Sequence, residues 1–126
     1  MSITTIKTDA APAAIGTYSQ AVRCGVLLFV SGQLGLHPIT GQLASSFEAE
    51  ATQAFTNLKA IVEAAGTTLA AIVKLNVSVI DMGRFSTFNE VMTQFFQEPY
   101  PARAVVGVAQ LPKGASVEIE AIVFCD

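Results

Sequence analysis

The chain has 126 residues, of which 52% are apolar and 13% charged, and its net charge is −3. Seven Lys/Arg, scattered singly against ten Asp/Glu, give no basic field for nucleic acid. No stretch reaches the roughly 18 uncharged apolar residues of a membrane-spanning helix. An ordinary globular chain carries about 25% charged residues, so the polar skin here is thin for a monomer and cover by further copies of the chain is expected.

Residues 2–7 (SITTIK) read as a short edge strand and 11–16 (APAAIG) as a loop. Residues 18–24 and 26–31 form a predicted hairpin turning at Cys24-Gly25, with Ser31-Gly32-Gln33 ending its second strand. Pro38 to Gly41 is a turn signal. Ser45 followed by Glu48 is a capping box for the first helix. Phe47, Ala51, Ala54, Phe55, Leu58, Ile61, Val62 and Ala65 then recur on one helical face until Gly66 stops it. In 71–80 the residues alternate, with Val73, Leu75, Val77 and Val79 on one face and Lys74, Asn76 and Ser78 on the other.

Asp81 caps a second helix, whose buried stripe is Phe85, Phe88, Val91, Met92 and Phe95, and PYP at 99–101 ends it. Residues 103–111 and 116–124 are the last strands, joined by a turn at Pro112-Lys113-Gly114. The order β-β-β-α-β-α-β-β predicts one α+β domain over 1–126, a two-layer sandwich with both helices on one face of a mixed sheet. In the last strand Val117, Ile119, Ala121 and Val123 share a face. Glu118, Glu120, Ile122 and Phe124 share the other, so Ile122 and Phe124 need cover from a neighbouring subunit's sheet.

Few residues carry chemistry. His37, the one histidine, sits in a loop with no ligand-spaced partner, so no metal site is expected. Cys24 and Cys125 near strand ends read as structural thiols, and no phosphate-binding glycine pattern occurs. The N-terminus lacks the features of a secretory or transit peptide, which makes the cytoplasm the expected location. Arg103 opens an uncharged strand after a stiff Pro-Ala approach. It suits bidentate recognition of a carboxylate or, alternatively, an ion pair with Glu118 or Glu120 on the next strand. Glu118 and Glu120 share a face and suit either acid–base work or a solvated strand start. Asn89 could be an exposed helix residue or a ligand donor, and Tyr18 a packing or ligand-contacting residue.

An ordered set of segments carries a resemblance. These are APAAIG-x-Y at 11–18, SGQ at 31–33, P-x-TG at 38–41, NLKAIVEAAG at 57–66, F-x-T-x-N at 85–89, PARA at 101–104, LPKG at 111–114 and VEIEAI at 117–122. Across nearly the whole chain the sequence resembles the reactive-intermediate deaminase family, RidA or YjgF, also labelled endoribonuclease L-PSP. The resemblance implies a chorismate-mutase-like fold, a homotrimer with three clefts between subunits, and hydrolysis of 2-imino acids to 2-keto acids and ammonia. It implies no cofactor. Arg103 would hold the substrate carboxylate and Glu118 would position or deprotonate the attacking water. Tyr18, the backbone at Ser31 and Gly32, and Asn89 would line the cleft. Many bacterial members have cysteine where this chain has Val105, a position whose backbone serves the pocket. A trimer that binds small acids or regulates without turnover, and an endoribonuclease, are the competing readings.

Overall fold

The computed structural model describes residues 2–126. Its strands are β1 (Ile3–Ile6), β2 (Ala21–Cys24), β3 (Leu27–Leu34), β4 (Ile72–Val79), β5 (Ala102–Gly107) and β6 (Val117–Phe124), and its helices are α1 (Phe47–Ala64) and α2 (Phe85–Met92). They build one sheet in the order β1-β2-β3-β6-β4-β5. Every neighbouring pair is antiparallel except β4–β5. The chain leaves β4, crosses through α2 and returns parallel in β5, as a helical crossover requires. The α+β sandwich with two helices over a mixed sheet is therefore the observed architecture.

The helical stripe of α1 is the centre of the core. Ala51, Ala54, Phe55, Leu58, Ile61 and Val62 are fully buried against the inward residues Leu28, Leu75, Val77, Ile119, Ala121 and Val123. Each large apolar side chain so buried contributes about 1.5–3 kcal/mol. Phe55 also meets Phe88, Phe95 and Phe96, with ring centroids 5.5, 5.2 and 5.6 Å away. These rings dock α2 and its following turn onto α1. Among the described residues no helix is long and apolar enough to cross a membrane.

Several boundaries differ from the sequence reading. The N-cap of α1 is Ser46, not Ser45, and its Oγ accepts from Ala49 N at 3.1 Å. With two serines in succession, the cap falls to the one in extended conformation immediately before Phe47. Asp81 caps a single 3-10 turn, Met82–Arg84, that leads into α2. Phe85 is 38% exposed rather than part of the buried stripe, because α2 starts at that residue.

Two β-bulges flank β6. In β4 the register shifts between Ile72 and Lys74, so Ile72 is buried and Val73 is half exposed, against the simple alternation. In β3 the shift lies between Val30 and Gln33. Ser31 and Gly32 together oppose the single residue Glu120, and the strand continues to Leu34 instead of ending at Ser31.

Side chains of paired residues on adjacent strands share a face. The helix-free face therefore carries Leu27, Phe29, Ile122 and Phe124 at one end, and Ser78, Glu118 and Glu120 at the other. Leu27, Phe29 and Phe124 remain 37–45% exposed.

Candidate active site

The predicted site residues fall into two groups on opposite faces of one sheet. Leu75 of β4 pairs with Arg103 of β5 and with Ala121 of β6, and both Leu75 and Ala121 point into the helix-covered core. Arg103 thus lies on the helix side, at the edge strand. Glu118, three residues from Ala121, points to the helix-free side. The alternative ion pair of Arg103 with Glu118 or Glu120 is excluded within one chain, because β4 separates β5 from β6 and the faces differ. Among the described residues the one ion pair is Arg84 with Asp81, at 3.9 Å.

On the helix side, Arg103 is half-buried beside α2. Its Nη1 donates to Asn89 Oδ1 at 2.7 Å and approaches Met92 Sδ at 3.5 Å. The guanidinium carbon lies 5.2 Å from the centroid of the Phe85 ring, a cation–π distance. A guanidinium has donors alone, so Asn89 must present its oxygen and its amide nitrogen remains a donor. Asn89, Met92, Thr93, Tyr100, Pro101 and Arg103 line a cavity of about 360 Å³. The lining has a positive charge, further donors and no carboxylate, which suits an anion. Val105 packs against the core two residues along the strand and does not line this cavity.

On the helix-free side, a second cavity of about 760 Å³ gathers Tyr18, Ser31, Gly32, His37, Lys113, Glu118 and Glu120. The bulge in β3 brings Ser31 and Gly32 here. A Cβ on Gly32 would lie 2.6 Å from Glu118 Cδ, so only glycine leaves room for the carboxylate in this position. The Glu118 carboxyl is held above its ordinary value of 4.5, first by burial and then by the negative charge of Glu120. Glu120 itself is exposed and accepts from Asn76 Nδ2 at 3.3 Å.

The loops around this cavity are tied down by residues the sequence reading passed over. Gln20, buried, accepts from Thr8 N at 2.7 Å and donates to the carbonyls of Thr8 and Pro12 at 3.0 and 2.8 Å. It fixes the segment leading to Tyr18, which is 52% exposed. Ser31 Oγ donates to Ser19 O at 2.6 Å. Asn57, fully buried on α1, donates to the carbonyls of Leu34 and Leu36 at 3.0 and 2.9 Å. Glu50, also on α1 and buried, accepts from Ser116 N at 2.8 Å and anchors the start of β6. His37 is exposed, as expected of a loop residue, but has a definite task. Its Nδ1 accepts from Ile39 N and Thr40 N at 3.1 and 3.3 Å and so closes the 37–41 turn. The available signal was spacing. Glu50, Asn57 and Ile61 recur at seven and four residues, which places two polar residues on the apolar stripe of α1. Among the described residues no group of three His, Cys, Asp or Glu is arranged to hold a metal ion.

Comparison with known proteins fits this geometry. A family model described as Endoribonuclease L-PSP matches residues 8–125. A protein of the mite Dermatophagoides farinae named 2-iminobutanoate/2-iminopropanoate deaminase is 49% identical over 96% of this chain and 95% of its own length. RidA from an Antarctic Psychrobacter species is 55% identical in its crystal structure and superposes with a TM-score of 0.94, covering 96% of this chain and 98% of that one. The crystal structure of Escherichia coli TdcF with bound serine is 43% identical with a TM-score of 0.94, covering 98% and 99%. Matched from end to end in sequence and in fold, the chain belongs to the RidA/YjgF family, whose family model bears the description Endoribonuclease L-PSP.

Proposed function

We propose that the protein hydrolyses 2-imino acids to 2-keto acids and ammonia, in clefts formed between copies of the chain in a homotrimer. The observation that carries this reading is the division of the site. A cationic, carboxylate-free pocket around Arg103 and a carboxylate of raised pKa at Glu118 lie on opposite faces of one sheet. Neither half is sufficient alone, and Arg103 of one copy set against Glu118 of another completes the set. The exposed Leu27, Phe29 and Phe124 supply apolar surface for that assembly. The mite relative is named for this activity, and the TdcF structure holds serine, an amino acid with the same carboxylate handle.

In the proposed reaction Arg103 binds the substrate carboxylate through two charge-assisted hydrogen bonds and fixes the orientation of the C=N carbon. Glu118 takes a proton from water as the water oxygen bonds to the carbon of the protonated imine. The resulting carbinolamine carries hydroxyl and amino groups on one carbon. Glu118 returns that proton to nitrogen, and as the C–N bond breaks the hydroxyl proton passes back to the Glu118 carboxylate, releasing ammonia and the keto acid. The raised pKa suits a group that must both hold and return a proton. Tyr18, the Ser31–Gly32 backbone and Asn89 border the substrate, and Val105 contributes backbone. No cofactor enters these steps.

The test is release of keto acid from an imino acid generated in situ by an amino-acid oxidase, with an RNA substrate run in parallel. Faster keto-acid release than in buffer is the expected result. Keto-acid binding without accelerated release would leave a binding protein, and RNA cleavage alone would point to the ribonuclease reading.

A further inference from the structure

Arg103 is held on three sides, and the way it is held determines which of its edges can meet a ligand. Nη1 carries two hydrogens. The nitrogen donates to Asn89 Oδ1 at 2.7 Å and to Met92 Sδ at 3.5 Å. Phe85 covers one ring-like face of the guanidinium at 5.2 Å. Among the described residues the guanidinium has no other hydrogen-bond partner. The remaining pair of parallel donors is Nε–H and Nη2–H, the side-on fork that matches the two oxygens of a carboxylate.

We propose that Met92 is a positioning residue for this arginine. Its thioether is the second acceptor on Nη1 and, together with Asn89, turns the Nε–Nη2 edge toward the cavity as the carboxylate fork. Met92 is 5% exposed and lines the same cavity as Asn89 and Arg103. A sulfur acceptor here is weak enough to leave the positive charge unquenched. A carboxylate in the same place would neutralise the arginine and compete with the ligand. The inference rests on the reading that Arg103 binds a carboxylate, and it assigns the rotation of the guanidinium to a residue outside the motif that carries Arg103.

Met92→Leu keeps the volume and removes the acceptor, a change cores accept readily. Met92→Gln keeps the reach and restores an acceptor as an amide oxygen. Binding of 2-oxobutanoate, measured by calorimetry, reads the fork directly without relying on turnover. Met92→Leu is expected to weaken it about threefold, the scale of one weak hydrogen bond, with KM rising in step and kcat unchanged. Met92→Gln is expected to return the affinity to near the original value. Equal affinity in the parent and Met92→Leu, or no gain from Met92→Gln over Met92→Leu, would overturn the role of Met92. The imine-hydrolysis reading is scored separately. A parent protein that shows the expected order of affinities but does not hydrolyse imino acids upholds Met92 and removes the deaminase. One that hydrolyses them while the variants bind alike does the reverse. No binding of 2-oxobutanoate by the parent removes the carboxylate fork altogether.

Discussion

Gly32 and Glu118 sit in van der Waals competition for one volume: a Cβ on Gly32 would lie 2.6 Å from Glu118 Cδ and 2.7 Å from Oε2. Gly32 has no positive φ, so the backbone there could accommodate any residue, and the requirement for glycine comes from the carboxylate alone. Gly32→Ala is therefore expected to fold and to lose about 1 kcal/mol or less in urea titration, because a flexible carboxylate can move aside. Turnover should fall about tenfold or more, since the proposed base leaves its position. In a double-mutant cycle, adding Gly32→Ala to Glu118→Gln should cost almost nothing further in kcat. Additive losses would separate the glycine from the carboxylate.

In the proposed mechanism Arg103→Ala removes two charge-assisted hydrogen bonds to the substrate, each worth about 1.5–3 kcal/mol. The loss of roughly 3 kcal/mol or more corresponds to about a hundredfold or more in kcat/KM. Arg103→Lys should recover little, since an ammonium lacks the planar fork. Steady-state kinetics on variants of unchanged sedimentation behaviour provides the check.

The acid limb of the pH–rate profile should lie above 4.5, the ordinary value from which the Glu118 carboxyl is raised. Burial disfavours the charged carboxylate and the charge of Glu120 disfavours it further, so both move the midpoint upward. In the proposed mechanism water activation needs the ionised form, and the rate is therefore expected to rise as pH climbs through that raised midpoint. Glu120→Gln keeps an oxygen for Asn76 but removes the negative charge. Its midpoint should move down while staying above 4.5, because burial is the larger cause. A midpoint that rises in Glu120→Gln would show that the pair interacts in another sense.

The proposed division of the site between copies makes a mixing experiment decisive. Arg103→Ala and Glu118→Gln are each expected to have little activity as pure assemblies of the 13.2 kDa chain. Unfolded together and refolded at equal ratio, they should regain activity, since about one cleft in four would draw both intact residues from different copies. A site contained within one copy would give no recovery. Sedimentation equilibrium in the same samples is expected to give three times the chain mass.

The helices and strands were legible from periodicity, because α1 and β6 present clean patterns of 3.6 and 2. Strand order was not. Sequence spacing suggested that Arg103 and Glu118 lie on adjacent strands, whereas β6 inserts between β3 and β4 and leaves β5 at the edge. Long-range pairing leaves no local trace of this kind. Arg103, Glu118, Tyr18 and Asn89 stand out by residue type and position with alternatives open, the family motifs choose among their roles, and the structure sorts them into two cavities. The supports were missed for a physical reason. Asn57 and Gln20 act on backbone carbonyls of distant loops, and a carbonyl has no side-chain identity by which a sequence could announce it.

The doubled step at Ser31 and Gly32 has a consequence for which changes the strand can absorb. Leu28 and Val30 face inward before it and Gln33 after it, so the extra residue resets the parity of everything downstream. Loss of one residue there would exchange inside for outside at Gln33 and Leu34. It would also dissolve the kink that brings the strand's backbone beneath Glu118. What this strand must keep in order to present this surface is thus a count as much as a composition: exchanges of side chain at Ser31 are a matter of degree, whereas a shortened β3 would be a different surface.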